Sequence, residues 1–237
     1  MTNSGTTLEY KYTFKFKDGA EKKYTVVLDA ATLELRAEKI PNPPEWTKLS
    51  FQQCENCPLS SAIEHCPIAV NLAVLVAEFG DSLSYEDTTV TVEAPERTYS
   101  KETTIQKGLS AIIGLYMPTS NCPIMDPLRP MARFHLPFAS TIETLFRSIS
   151  AYLTTQFLLQ HEGKKPDWEL EKLVERYKEV SKVNKGMARR LASASQKDAN
   201  VNALIILHSF GDTMPYFIES GLDDIRDIFL ADQKNGE

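Results

Sequence analysis

Cys54, Cys57, Cys66 and Cys122 are the residues of this chain best suited to chemistry, and three of them stand directly before proline. Cys54-Glu55-Asn56-Cys57-Pro58 holds a C-x-x-C pair, Cys66 follows in His65-Cys66-Pro67, and Cys122 lies in Asn121-Cys122-Pro123. Four thiolates converging at about 2.3 Å on one ion close a tetrahedral structural zinc site. Cys54 and Cys57 make half of such a site by local geometry, and a folded loop can return Cys66 to them. Cys122 is remote and has to arrive through tertiary structure. In that arrangement the ion ties the loop after the first hairpin to a proline-rich stretch ahead of the last helices. His65 or His135 could replace one sulfur.

Other chemistry for the same residues stays open. An iron–sulfur cluster also takes four thiolates and often has Cys-Pro beside it, although the spacing here matches neither ferredoxin pattern. A redox dithiol at Cys54 and Cys57 belongs on a strand-to-helix turn of a βαβ unit, and the sequence offers none. The plainest alternative is four small buried side chains.

A second constellation is Leu128-Arg129-Pro130-Met131-Ala132-Arg133-Phe134-His135-Leu136-Pro137-Phe138. Arg129, Arg133 and His135 could form an anion pocket beside the helix that starts at Ser140. Equally, the two arginines could pair with carboxylates or loop carbonyls and lock irregular backbone, the commoner use of such residues. His208 and Asp212 lie four apart on one helix face, where Glu143 or Glu78 could join them at a metal, but paired Glu-x-x-His motifs are missing. A satisfied core histidine is the simpler expectation. The chain has no Walker loop, no G-x-S-x-G elbow and no H-E-x-x-H helix.

The 237 residues carry a net charge of −6 and are 42% hydrophobic. That length buries a substantial core without covalent staples. The acidic balance argues against phosphate-backbone binding, so nucleic acid is not expected as a partner. Met1-Thr2-Asn3-Ser4-Gly5 has no basic region followed by an apolar run, and the longest apolar runs are too short to span a bilayer. A cytoplasmic location without membrane insertion is expected, where cysteines serve as thiols or metal ligands rather than disulfides.

These residues need elements to position them. Tyr10, Tyr12, Phe14 and Phe16 alternate with polar residues, Asp18-Gly19 supplies a turn, and Tyr24 to Leu28 returns as partner strand. Thr32 to Arg36 is expected as a short third strand, ended by Pro41, Pro43 and Pro44. Ile68 to Phe79 reads as a buried helix with Pro67 in its first turn. A second hairpin spans Thr88 to Thr103, and a helix runs from Ile105 to Tyr116. Five prolines between Met117 and Pro137 predict irregular backbone. Ser140-Thr141-Ile142-Glu143 is a capping box for a helix burying Ile142, Leu145, Phe146, Ile149, Tyr152, Leu153 and Phe157. Gly163 and Pro166 break it, and Asp167 caps the next. Asp198 or Asn200 opens a third helix, apolar nearly all round from Val201 to Phe210 and so expected mid-bundle, with Pro215 kinking or ending it. Leu222 to Leu230 makes a last short helix.

With Cys54-x-x-Cys57-Pro58-Leu59, His65-Cys66-Pro67, Arg97-Thr98-Tyr99-Ser100-Lys101 and the Arg129 to Phe138 run in place, the chain resembles a bacterial family known only as a domain of unknown function. The resemblance covers most of the chain and implies a cytoplasmic bacterial protein, with no activity attached. The expected fold is α+β: a small antiparallel hairpin sheet, a cysteine-bound junction and a C-terminal helical bundle. Residues 1–138 form the mixed part and 139–237 the bundle, packed into one unit. The expected function is a non-enzymatic interaction or regulatory protein with a structural zinc site made of the four cysteines and a protein partner not identified by the residues. An iron–sulfur or redox protein, or a sensor of small anions at Arg129, Arg133 and His135, are the alternatives.

Overall fold

The period-two alternation of Tyr10, Tyr12 and Phe14 with lysine and threonine builds β1 (Thr7–Phe16), with every second side chain buried. A turn at Asp18-Gly19, where Gly19 has φ +87°, returns the chain as β2 (Glu21–Asp29). Residues 6–231 are described in the computed structural model of the chain. The second hairpin, β3 (Asp87–Glu93) and β4 (Thr98–Thr104), docks on the first through β3. The result is one antiparallel sheet of order β2-β1-β3-β4.

One sheet face is covered by α1 (Pro67–Phe79) and α2 (Ile105–Thr119). Phe79 packs on Phe14 with ring centroids 5.1 Å apart. At Gly108 the approach is closest: a Cβ there would stand 2.5 Å from Phe14 Cε1 and 2.8 Å from Val90 Cγ2. Behind α2 lie α5 (Glu171–Ala194) and α6 (Ala199–Glu219), with α4 (Thr141–His161) alongside α5 and the short α7 (Asp223–Leu230) closing the chain. The fold is α+β, as expected.

Several local expectations need correction. Thr32 to Arg36 forms no strand; Leu35 makes one bridge to Leu28, and the segment is pinned instead by Leu35 N–H to Thr119 O (2.9 Å) and Arg36 N–H to Val27 O (2.8 Å). The proline-rich stretch is partly helical. Proline is welcome in a first turn, so a 3-10 turn forms at Asp126–Leu128 and α3 at Pro130–Arg133. α2 runs on through Pro118 to Thr119, where the Thr119 and Ser120 hydroxyls donate to the Leu115 and Tyr116 carbonyls. α6 likewise continues through Pro215 to Glu219. It is not enclosed: Ile205 is 44% exposed, because no described residue covers it. On α4, Leu145, Ile149 and Tyr152 are buried but Ile142, Phe146 and Phe157 are exposed. Asp167 does cap α5, from outside its first turn, by accepting the Lys172 amide at 2.9 Å.

Candidate functional site

The cysteines lie on the loops before α1 and after α2, and Cys54 faces α5. Cys57 N–H donates to Cys54 O (3.1 Å), making the C-x-x-C stretch a turn. The Cys54 thiol lies against α5, where a Cβ at Gly186 would come within 2.5 Å of its Sγ. Cys66 precedes α1, and its amide donates to Thr47 O at 2.8 Å. Arg190, 1% exposed, fastens this loop to α5 by donating to Trp46 O (2.8 Å), Lys48 O (2.6 Å) and Leu49 O (3.1 Å).

All four cysteines are free thiols within electrostatic reach of one another. Burial pushes the Cys54 thiol up to about 11; Cys66, Cys122 and Cys57 push the same way, and Arg190 opposes them. Burial also raises the Cys122 thiol, opposed by the nearby Met125 and Ile124 amides, of which Met125 N–H donates to the Cys122 carbonyl at 2.9 Å. Protonated thiols are poor nucleophiles, so this environment does not suit a reactive dithiol. The closer convergence expected for zinc is not seen: among the described residues no group of three or more His, Cys, Asp or Glu side chains stands in an arrangement that would hold an ion. Packing of Cys54 against Gly186 turns that sulfur toward the helix. Neither histidine replaces a sulfur, since His65 is held by Thr47 Oγ1 (2.8 Å) and His135 lies elsewhere.

The arginine loop divides. Arg129 binds Asp126, Asn121 Oδ1 (2.8 Å) and Glu34 (3.4 Å), and Arg133 pairs with Glu96 at 3.5 Å. Both therefore face carboxylates, Arg129 the more closely. His135 instead packs edge-on to Tyr10, with centroids 5.4 Å apart, and its Nε2 bonds the Tyr12 hydroxyl. Burial, with Arg147 nearby, lowers its pKa to about 3, so the ring is neutral. Burial raises the Tyr12 pKa, so that hydroxyl keeps its proton.

His135 borders a cavity of about 960 Å³. Its walls are α2, the loop through Met125, Met131 and Phe138, the first turns of α4, and the facing sides of α5 and α6. Most of the lining is apolar. The charged side chains there are Lys101, Lys107 and Arg147 against Glu143, whose carboxylate accepts the Ser140 amide at 2.7 Å in the capping box. A basic cavity in a chain of net charge −6 is a local reversal of sign. Arg147 is half-buried; its Nε donates to Phe134 O (3.1 Å) and one terminal nitrogen to Met131 O (3.1 Å). It forms no ion pair with a described carboxylate, and burial lowers its pKa. Across the cavity, Asn184 on α5 is 3% exposed, gives its Nδ2 to Leu207 O (3.3 Å), and leaves its buried Oδ1 without a donor among the described residues.

Sequence reasoning passed over Arg147, Asn184 and Arg190. Nothing in the spacing of these residues marks them, because each sits among the polar residues of an ordinary amphipathic helix. His208 and Asp212 do meet, at 3.2 Å, with Ser181 between them. Ser181 donates to Asp212 rather than to His208, so the trio ties α5 to α6 and lacks the relay of a nucleophilic triad. Glu143 and Glu78 are engaged elsewhere, Glu78 by the Tyr24 hydroxyl. No helix among the described residues is long and apolar enough to cross a membrane.

No curated protein and no solved structure matches the chain. A family described as a domain of unknown function (DUF6901) matches residues 10–230, and the chain belongs to it.

Proposed function

We propose that the protein is a non-enzymatic, cytoplasmic binding protein that takes a small organic anion into the cavity beside Arg147. The observation that carries this reading is a half-buried guanidinium with no carboxylate partner among the described residues, in the wall of a cavity of about 960 Å³. A desolvated charge is costly unless something compensates it, and two carbonyl dipoles do so only in part. Lys101 and Lys107 add positive potential at the same walls. The volume is at the upper end of small-molecule sites, and a mostly apolar lining with a few polar groups is their usual composition. The arginine is not the one expected: Arg129 and Arg133 are taken up by carboxylates, and only His135 of that trio borders the cavity. Free thiols suit a reducing compartment.

Thermal-shift titration with carboxylates, dicarboxylates and nucleotides tests the reading, since a ligand that binds only the folded state stabilises it by mass action. At least one anion should raise the melting temperature saturably, and Arg147→Gln should abolish the rise. No shift with any anion at millimolar concentration sinks the idea.

A second reading keeps the cysteine junction as a metal-dependent interaction module, holding zinc or an iron–sulfur cluster. One feature favours it: Cys54, Cys57, Cys66 and Cys122 stand near enough for the charge on one to be felt at the others. Elemental analysis of protein purified without added metal tests it. Stoichiometric zinc or iron supports the module, and metal-free protein with four titratable thiols removes it.

A further inference from the structure

Resting on the anion reading of the cavity, we infer that its ligand is an amphiphilic monoacid, with one carboxylate at Arg147 and an apolar body spread over the inner wall. The charged side chains of the lining mark the mouth: Lys101, Lys107 and Glu143 are exposed, whereas Arg147 is half-buried. Lys101 and Arg147 both favour the charged form of Glu143, so these three groups share one region. Two cations against one carboxylate leave a single positive charge there, which one further carboxylate balances. A guanidinium carries five N–H donors, and Arg147 commits two of them to Phe134 O and Met131 O, leaving three for a ligand.

Most of the remaining wall offers apolar contact. Met131, Phe138, Phe210 and Phe217 line the cavity and are only half-buried, so apolar surface faces its interior. Met117 and Met125 line it as well, so half of the six methionines of the chain border this one space. Methionine is unbranched and polarizable, and it fits itself to irregular apolar shapes. A compact polar anion in a space of about 960 Å³ leaves that surface in water, whereas an apolar body covers it. The wall therefore selects its ligand by apolar size, at about 2- to 4-fold in affinity for each methylene covered.

Isothermal titration of the full chain with hexanoate, octanoate, decanoate, 1-octanol, citrate and inorganic phosphate tests this, each acid kept below its micellar concentration. Affinity should climb about 2- to 4-fold per methylene from hexanoate to decanoate. The neutral 1-octanol should bind at least about 10-fold more weakly than octanoate, the loss of a charge-assisted contact. Arg147→Gln should weaken octanoate by about 10- to 100-fold and leave 1-octanol unchanged, with Arg147→Lys intermediate as the folded control. Met131→Gln, which keeps the backbone carbonyl that Arg147 uses, should weaken decanoate by about 3- to 10-fold and hexanoate less. Affinity that is flat across the three acids, or 1-octanol as tight as octanoate, overturns the inference. Citrate or phosphate binding without any of the three acids overturns it too and leaves the anion reading standing, whereas no binding of any anion fells both.

Discussion

Arg190 shows how much one side chain can organise here. It is 1% exposed, and its guanidinium satisfies three carbonyls of the loop that carries the C-x-x-C pair. Charge-assisted bonds of this kind are about twice as strong as neutral ones. Arg190→Met, which keeps most of the volume, should cost at least about 3 kcal/mol in urea denaturation, because three carbonyls lose a charged donor. A loss below about 1 kcal/mol would mean that water replaces the guanidinium without penalty. His135 sets a pH dependence. Its pKa is about 3 in the fold against 6.5 ordinarily, so the unfolded chain binds the proton first. Its contribution is fully present above pH 6.5 and is lost as pH falls toward 3, with a slope approaching about 1.4 kcal/mol per pH unit. Subtracting the stability curve of His135→Gln from that of the native protein should isolate this slope. A flat difference between pH 6 and pH 4 contradicts the buried neutral ring.

At the scale of elements, the closest joint is α2 on the sheet. Gly108→Ala drives a methyl group into Phe14 and Val90, so α2 must lift or the ring must turn. Overpacking of this kind costs about 1–3 kcal/mol, and Phe14→Leu in the same chain should return part of it. Thermal melts of the two single variants and the double variant measure the coupling; strict additivity would show that the contact is slack. The elements themselves were largely legible. Alternating aromatics gave away β1, and Ser140-x-x-Glu143 announced α4 with both of its reciprocal bonds in place. The failures share one cause. Thr32 to Arg36 has strand composition but found one bridge and no partner strand, and the prolines from 118 to 137 interrupt less than expected because Pro127 and Pro130 occupy helix first turns and α2 runs through Pro118. Neither outcome is a property of the local segment.

For the whole molecule, contacts across the 138/139 division argue for one cooperative unit. Arg190 reaches residues 46–49, Asp198 accepts the Ser84 amide and hydroxyl at 2.9 Å each, and Asn200 Nδ2 donates to Val76 O at 3.1 Å. The two tryptophans, Trp46 and Trp168, lie one in each part. Trp46→Phe and Trp168→Phe single-tryptophan variants should therefore unfold in urea with fluorescence midpoints that coincide with each other and with circular dichroism. Separate midpoints would divide the chain into two domains. Composition and periodicity alone determined the α+β class, the hairpins and most helices, because each depends on neighbours within a few residues. That Arg147 and Arg190 meet backbone carbonyls rather than carboxylates, how the four thiols stand, and that a basic cavity exists in an acidic chain were decided only by tertiary packing. Desolvation and the supply of counter-charges depend on residues brought together from far along the chain, and no local spacing encodes them.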